Sequence, residues 1–277
     1  MSPGYQTGTA IQVRAGQPPR RRWIWITVAL LTAFVLVTPV ALRLWLKAAH
    51  RNQALATQVY RRPLTELRIV APGGGVTIIP SRQHDVTVTG TLSWVFARPL
   101  VTQAVRGTTL QITGGCPGSN AFEDCQIGLT VRVPAQLAVQ VSAGSGSISV
   151  RQLTGPLHLA VTSGSISLAR DSGPVFVDAG SGSVDGSGMT SPTIETVIGS
   201  GYVHLGLASA PRNLNVAIGS GSGSIIVPRG TRVRANTNGG SGVLRIEPGI
   251  ADSSAPGMMT ITIGTGVLTV AYPAAGA

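Results

Sequence analysis

One beat constrains this chain more than any single residue: Gly-Ser followed by an apolar residue, recurring through the C-terminal half. It reads as Gly146-Ser147-Ile148, Gly164-Ser165-Ile166, Gly182-Ser183-Val184 and Gly223-Ser224-Ile225. Looser copies are Gly201-Tyr202-Val203, Gly242-Val243-Leu244 and Gly266-Val267-Leu268. The seven glycines stand 18, 18, 19, 22, 19 and 24 residues apart. Self-similarity at this period marks a stacked architecture, in which each repeat buries its apolar face only against its neighbours.

From Leu64 onward the chain is rich in Val, Ile and Thr, punctuated by Gly and Pro. Apolar and polar residues alternate in Leu67-Arg68-Ile69, Val86-Thr87-Val88, Leu129-Thr130-Val131 and Leu137-Ala138-Val139. Period two predicts strands with one buried face, and no helical stretch follows residue 62. Within 142–271 each repeat holds two short strands, one after the glycine beat (Ile148-Ser149-Val150) and one half a period later (Leu157-His158-Leu159). The expected fold is all-β: a flattened parallel β-solenoid of two short strands per 18–22-residue coil. Glycine at the corners supplies backbone conformations closed to other residues. An antiparallel sandwich also places strands at intervals of 8–12 residues and stays open at this point.

The N-terminal quarter is different. The formal net charge is +11, but residues 1–62 hold nine basic residues and no acidic one, while the remainder holds twelve Arg and ten Asp or Glu. The basic excess therefore flanks one apolar segment and forms no nucleic-acid-binding face. That segment, Trp23 to Leu42, carries no formal charge over twenty residues and spans about 30 Å as a helix, the thickness of a bilayer core. Trp23, Trp25 and Trp45 sit where amphipathic rings prefer the membrane interface. The expectation is a signal-anchor helix over 23–46, with the lipid bilayer as partner. It follows a disordered tail over 1–22 and precedes a stalk over 47–63, helical in propensity until Pro63. The apolar run exceeds the usual length of a cleaved signal peptide, although Ala54-Leu55-Ala56 resembles a cleavage triplet.

Positive charge on the two flanks is nearly balanced and does not orient the helix. The cysteines do. The only two, Cys116 and Cys125, lie in a loop rich in Gly, Pro, Ser and Asn, and their spacing suits a local disulfide better than zinc. A disulfide favours an oxidising, extracytoplasmic place for the domain over 64–273, with the N-terminus cytoplasmic.

Val131-Arg132-Val133-Pro134, the Ser-Gly-Ser-Ile/Val repeats and the cysteine loop before them resemble the bacterial putative-adhesin family. Its members are β-strand-repeat domains related to the head domain of putative auto-transporter adhesins. The resemblance covers roughly residues 65 to 271. It implies a solenoid-like extracytoplasmic domain on a membrane anchor and carries no catalytic residues.

The search for chemistry is short. A phosphate loop needs Gly-x-x-x-x-Gly-Lys-Ser/Thr, and the only lysine is Lys47. No nucleophile elbow and no dinucleotide fingerprint is present. His84, His158 and His204 form no metal-ligand spacing, and the last two lie between apolar strand residues, which points them to the outer face. Asp171, Asp178 and Asp185 are close in sequence. Stacked corners could bring Asp178 and Asp185 to a distance that suits a glycan-cleaving pair or a calcium ion, although Asp also serves turns. In Trp94-Val95-Phe96, Val95 is expected inside while Trp94 and Phe96 cover an end of the stack, or else form an exposed patch. Asp178, Asp185 and Trp94 are the candidate ligand patch. No catalytic residue, cofactor or metal is expected. The expected role is a non-catalytic, adhesin-like interaction module that meets cell-wall glycan or an envelope protein. The alternatives are a sensory ectodomain of a membrane complex and, behind it, a polysaccharide-active enzyme.

Overall fold

The structure, a computed structural model, describes residues 21–49, 51–95, 97–117 and 125–274. The chain divides into two compact units, Met1–Ala49 and His50–Ala277. The first holds helix α1 (Arg21–Ala49), with Pro39 in its interior. Thr32 and Thr38 turn their hydroxyls back onto the carbonyls of Val28 and Phe34, which satisfies both hydroxyls within an apolar helix. Side chains of α1 are described at 23 and 25–39, and large apolar ones such as Trp25, Leu30 and Phe34 stand exposed. Among the described residues no helix is long and apolar enough to cross a membrane.

The second unit is one mixed, largely parallel sheet of fourteen strands among the described residues. It begins with β1 (Arg51–Tyr60), β2 (Glu66–Pro80), β3 (Val86–Trp94), β4 (Leu100–Arg106), β5 (Thr109–Gly115) and β6 (Cys125–Val133). Residues 51–60, expected to extend the helix as a stalk, are instead a strand, because β1 finds an antiparallel ladder along β3 from Arg51↔Trp94 to Tyr60↔Val86. Cross-strand pairing overrides the helical propensity of its Ala, Leu and Gln. One edge of β2 is shared: its first half pairs with β5 and its second half with β6, both parallel. The link between β5 and β6 is the loop closed by the Cys116–Cys125 disulfide, so these two strands form one rung outside β2. Antiparallel β4 on β5 and β3 on β6 finish this end. Tyr60 of β1 donates its hydroxyl to Gln103 Oε1 of β4 at 2.8 Å and ties the two edges together.

The middle is a plain stack of β7 (Ala138–Arg151), β8 (Leu157–Ala169), β9 (Val175–Met189), β10 (Thr193–Leu207) and β11 (Asn213–Ile226). Each pairs parallel with the next, and β7 pairs with β2. Parallel pairing here departs from the antiparallel sandwich. The two short strands expected per repeat are halves of one long strand, with the glycine beat at its centre. In β8, Leu157, Leu159 and Val161 of the first half and Ile166 and Leu168 of the second are buried, and the residues between them face outward. Burying one such Leu or Ile is worth roughly 1.5–3 kcal/mol, and the alternation repeats rung after rung.

The bend at the centre of each strand is a column of glycines in register: Gly74, Gly146, Gly164, Gly182, Gly201, Gly221 and Gly266. All have φ between 108° and 150°, closed to L side chains, and a Cβ on any one after Gly74 would collide with the carbonyl oxygen of the glycine one rung before. Two expected corner glycines are therefore corrected. Gly223 lies two residues past the column and faces the core between Val203 and Leu268, where the side chains of Leu268 and Ile218 take the space a Cβ would need. Gly242, between the last two short strands, keeps the place opposite Gly266 that the ladders on either side define, but without the positive φ of the column. Gly74, flanked by Gly73 and Gly75 where Gly146, Gly164 and Gly182 have serines, joins the column unannounced.

Order breaks again at the C-terminal end, made of β12 (Val233–Gly239), β13 (Val243–Ile246) and β14 (Gly257–Ala271). The last strand in sequence, β14, pairs with β11 on one edge and with β12 and β13 on the other. The short strands thus form the outermost rung and β14 lies inside it.

Candidate functional site

Outward-facing residues of parallel, in-register strands form rows across the stack. Beyond the bend one such row runs Ser149, Ser167, Asp185, His204, Ser224 and Thr269. Another row lies before the bend. His158 of β8 is held outward between buried Leu157 and Leu159, and Phe176 of β9 likewise between Val175 and Val177. The register pairs them, and their rings stack with centroids 4.6 Å apart and planes 7° from parallel. That separation matches the strand spacing, so the rings stand on the sheet as neighbouring leaves. Gln140 precedes them and Glu195 follows them in the same row. The adjacent row runs Ser142, Ala160, Asp178, Val197. Tall side chains beside short ones leave a groove of about 400 Å³ lined by both rows.

The chemistry of this groove follows from its residues. One face of Phe176 is covered by His158, and the other is turned toward its register partner on the next rung, Glu195. The carboxylates of Asp178 and Glu195 make no ion pair or hydrogen bond within the described residues, and no Lys or Arg lines the groove. His158 and Phe176 stand one rung apart in number, and that interval is the sequence signal that joins them. Sequence patterning puts Phe176 and Glu195 on strands but does not join either to a site.

The other predicted residues lie elsewhere. Asp185 faces outward on the second half of β9, beyond the bend at Gly182, with Ser167 and His204 as register neighbours. Asp178, on the first half, has Ala160 and Val197. In-register stacking keeps the two in separate rows, so they do not form the expected carboxylate pair. Tyr202 and His204 hold parallel rings 6.5 Å apart beside Asp185. His84 lines a separate concavity of about 450 Å³ with Pro63, Leu64 and Pro134.

Trp94 belongs to the core, not to a ligand patch: alternation along β3 turns it inward after Leu92, and it is 9% exposed, with Arg98 6.0 Å from its ring centroid. Val95, expected inside, is half-buried, and Phe96 lies outside the described residues. Asp171 is fully buried at the turn after β8, where its carboxylate accepts the N–H groups of Leu153 at 2.8 Å and Ala169 at 3.1 Å. Burial pushes its pKa up to about 6, against the pull of those two hydrogen bonds. It is a structural clasp between turns. Cys116 and Cys125 form the disulfide expected of them.

No protein-family model matches the chain, and no curated protein matches it. Solved structures similar to it include a putative cell adhesion protein from Clostridium sporogenes, at 9% identity, covering 80% of this chain and 100% of that one with a TM-score of 0.37. A putative adhesin from Bacteroides fragilis is 14% identical and covers 80% of this chain and 97% of its own, with a TM-score of 0.38. A putative lipid binding protein from Parabacteroides distasonis is 13% identical over 81% of this chain and 96% of its own, with a TM-score of 0.32.

Proposed function

We propose that this chain is a single-pass membrane protein of the putative-adhesin type, whose β-unit is a flattened parallel solenoid that binds cell-envelope components without catalysis. The observation that carries the binding reading is the groove at His158, Phe176, Asp178 and Glu195. It is a concave patch in which two stacked rings meet two carboxylates, and it is conformationally fixed by the rungs beneath it. Anchoring rests on the sequence alone, on the run Trp23 to Leu42 that carries no formal charge over twenty residues; no helix among the described residues is itself long and apolar enough to cross a membrane. The extracytoplasmic placement rests on the Cys116–Cys125 disulfide, which persists in oxidising compartments.

Two measurements test this reading. Protease added to intact cells is expected to remove the β-unit and leave a fragment in the membrane; full protection of the β-unit contradicts it. Full-length protein in detergent is expected to co-sediment with isolated envelope fragments, and failure to bind any envelope fraction contradicts the interaction role.

A further inference from the structure

We infer that the groove on the outer face of β8, β9 and β10 takes a primary ammonium group carried on a glycan, that is, a free amino sugar. The inference rests on the binding role proposed above and gives it a ligand class.

The argument begins with Phe176. A cation is attracted by the face of an aromatic ring and not by its edge. His158 occupies one face at a centroid separation of 4.6 Å. The remaining face is turned along the row toward Glu195, the register partner of Phe176 on β10. Asp178 lies two residues beyond Phe176 on the same outward side, and Val197, its register partner, keeps the adjacent row low. A cation held between that face and the Glu195 carboxylate therefore meets ring electrons on one side and two carboxylates around it. Neither carboxylate has a partner of its own among the described residues, and no basic side chain other than His158 lines the groove. The place beside His204 differs in kind, since Asp185 has Ser167 and His204 as register neighbours and no second carboxylate.

The carrier of the cation follows from where the groove lies. It is on a sheet face, where the backbone N–H and C=O groups of β8 and β9 are already engaged in ladders on both edges. A peptide gains much of its affinity for sheets by adding main-chain hydrogen bonds at an edge, and this face offers none. A glycan is recognised by side chains. Gln140 and Ser142 at one end of the two rows and Asn215 beyond Glu195 supply neutral donors and acceptors for hydroxyls.

The test uses the full-length protein in detergent and two probes that differ only in charge: a glucosamine oligosaccharide with free amines and its fully N-acetylated counterpart, titrated calorimetrically. The free-amine form is expected to bind at least about tenfold more tightly. Asp178→Asn and Glu195→Gln are each expected to abolish that preference, and Phe176→Leu to reduce it, while Asp185→Asn leaves it intact. Unchanged thermal unfolding of the variants separates loss of the site from loss of the fold. Equal binding of both oligosaccharides, or a preference that survives Asp178→Asn and Glu195→Gln, overturns the inference. Oligolysine binding as tightly as the amino sugar, with the same dependence on Asp178, overturns the assignment to a glycan. Co-sedimentation with envelope fragments by a protein that fails all these titrations keeps the interaction role and discards only this ligand.

Discussion

The middle of the β-unit and its two ends use the same beat under different rules of order. From β7 to β11 each strand pairs with the strand that follows it in sequence. At the N-terminal end β2 is inserted between β7 and the rung made of β5 and β6, and at the C-terminal end β14 is inserted between β11 and the rung made of β12 and β13. The difference teaches how an open stack manages its ends. The long strands nearest each terminus of the repeat are paired on both edges and cannot fray without breaking two ladders. The exposed C-terminal edge falls to short strands bearing Arg234, Asn236, Asn238 and Arg245, polar side chains that discourage further edge pairing. Nearest-neighbour stacking makes the middle modular, whereas out-of-order insertion makes the ends depend on residues far away in sequence.

The largest effect is expected where the middle admits no side chain. Gly182→Ala places a Cβ against the carbonyl oxygen of Gly164 at φ 130° and should cost about 4 kcal/mol or more, enough to prevent folding. Gly107→Ala, in the turn between β4 and β5 at φ 61° with open space around it, should cost about 1–2 kcal/mol. Thermal unfolding followed by circular dichroism compares them, and equal costs would remove the distinction between column and turn.

A smaller loss is expected at the clasp between turns of the middle. Asp171→Ala leaves the N–H groups of Leu153 and Ala169 without acceptors and should cost about 2–4 kcal/mol. The pH dependence has a definite sign. The folded pKa, about 6, exceeds the ordinary carboxylate value, so the folded state binds the proton more tightly than the unfolded chain. The proton-linked part of Asp171's contribution to stability is therefore fully present below about pH 4 and lost as pH rises through 6, while the two hydrogen bonds to its oxygens persist. Melting curves from pH 4 to 7 should show this trend, and Asp171→Asn should flatten it. A wild-type profile that Asp171→Asn leaves unchanged contradicts the account of the clasp.

The smallest effect is a gain. Thr196, inward-facing on β10 between Val177 and Val216, has a buried hydroxyl with no partner. Thr196→Val should stabilise the β-unit by about 0.5–1.5 kcal/mol. Lower stability in the variant would mean that the hydroxyl is bonded after all.

The sequence foretold the middle because its signal is local and repeated. Gly146, Gly164 and Gly182 announce themselves by serines on both sides, and Gly201 by Ser200 before it. Gly221 was displaced to Gly223 because Gly219-Ser220-Gly221-Ser222-Gly223 offers three candidates, and the apolar Ile225 drew the reading to the last. Gly74, with glycines on both sides, carries no such flag. The insertions of β2 and β14 leave no local mark at all, since each strand alternates in the same way whichever neighbour it pairs with. β1 has the composition of a helix and becomes a strand through its ladder with β3. At the site, His158 was seen to face outward, but the groove depends on Phe176 and Glu195 one and two rungs away, which only the register brings together. Asp178 belongs to it, and Asp185 and Trp94 do not, because one bend and one step of alternation send them elsewhere.

The out-of-order C-terminal end is the central structural claim, and one cross-linking experiment decides it. The protein has no free cysteine among the described residues, so engineered thiols can be read cleanly. Ser224 of β11 is in register with Thr269 of β14, which is in turn in register with Arg245 of β13. A short thiol cross-linker should join the pair Ser224→Cys with Thr269→Cys and leave Ser224→Cys with Arg245→Cys unjoined. Efficient cross-linking of the second pair and none of the first would mean that the rungs follow sequence order to the end.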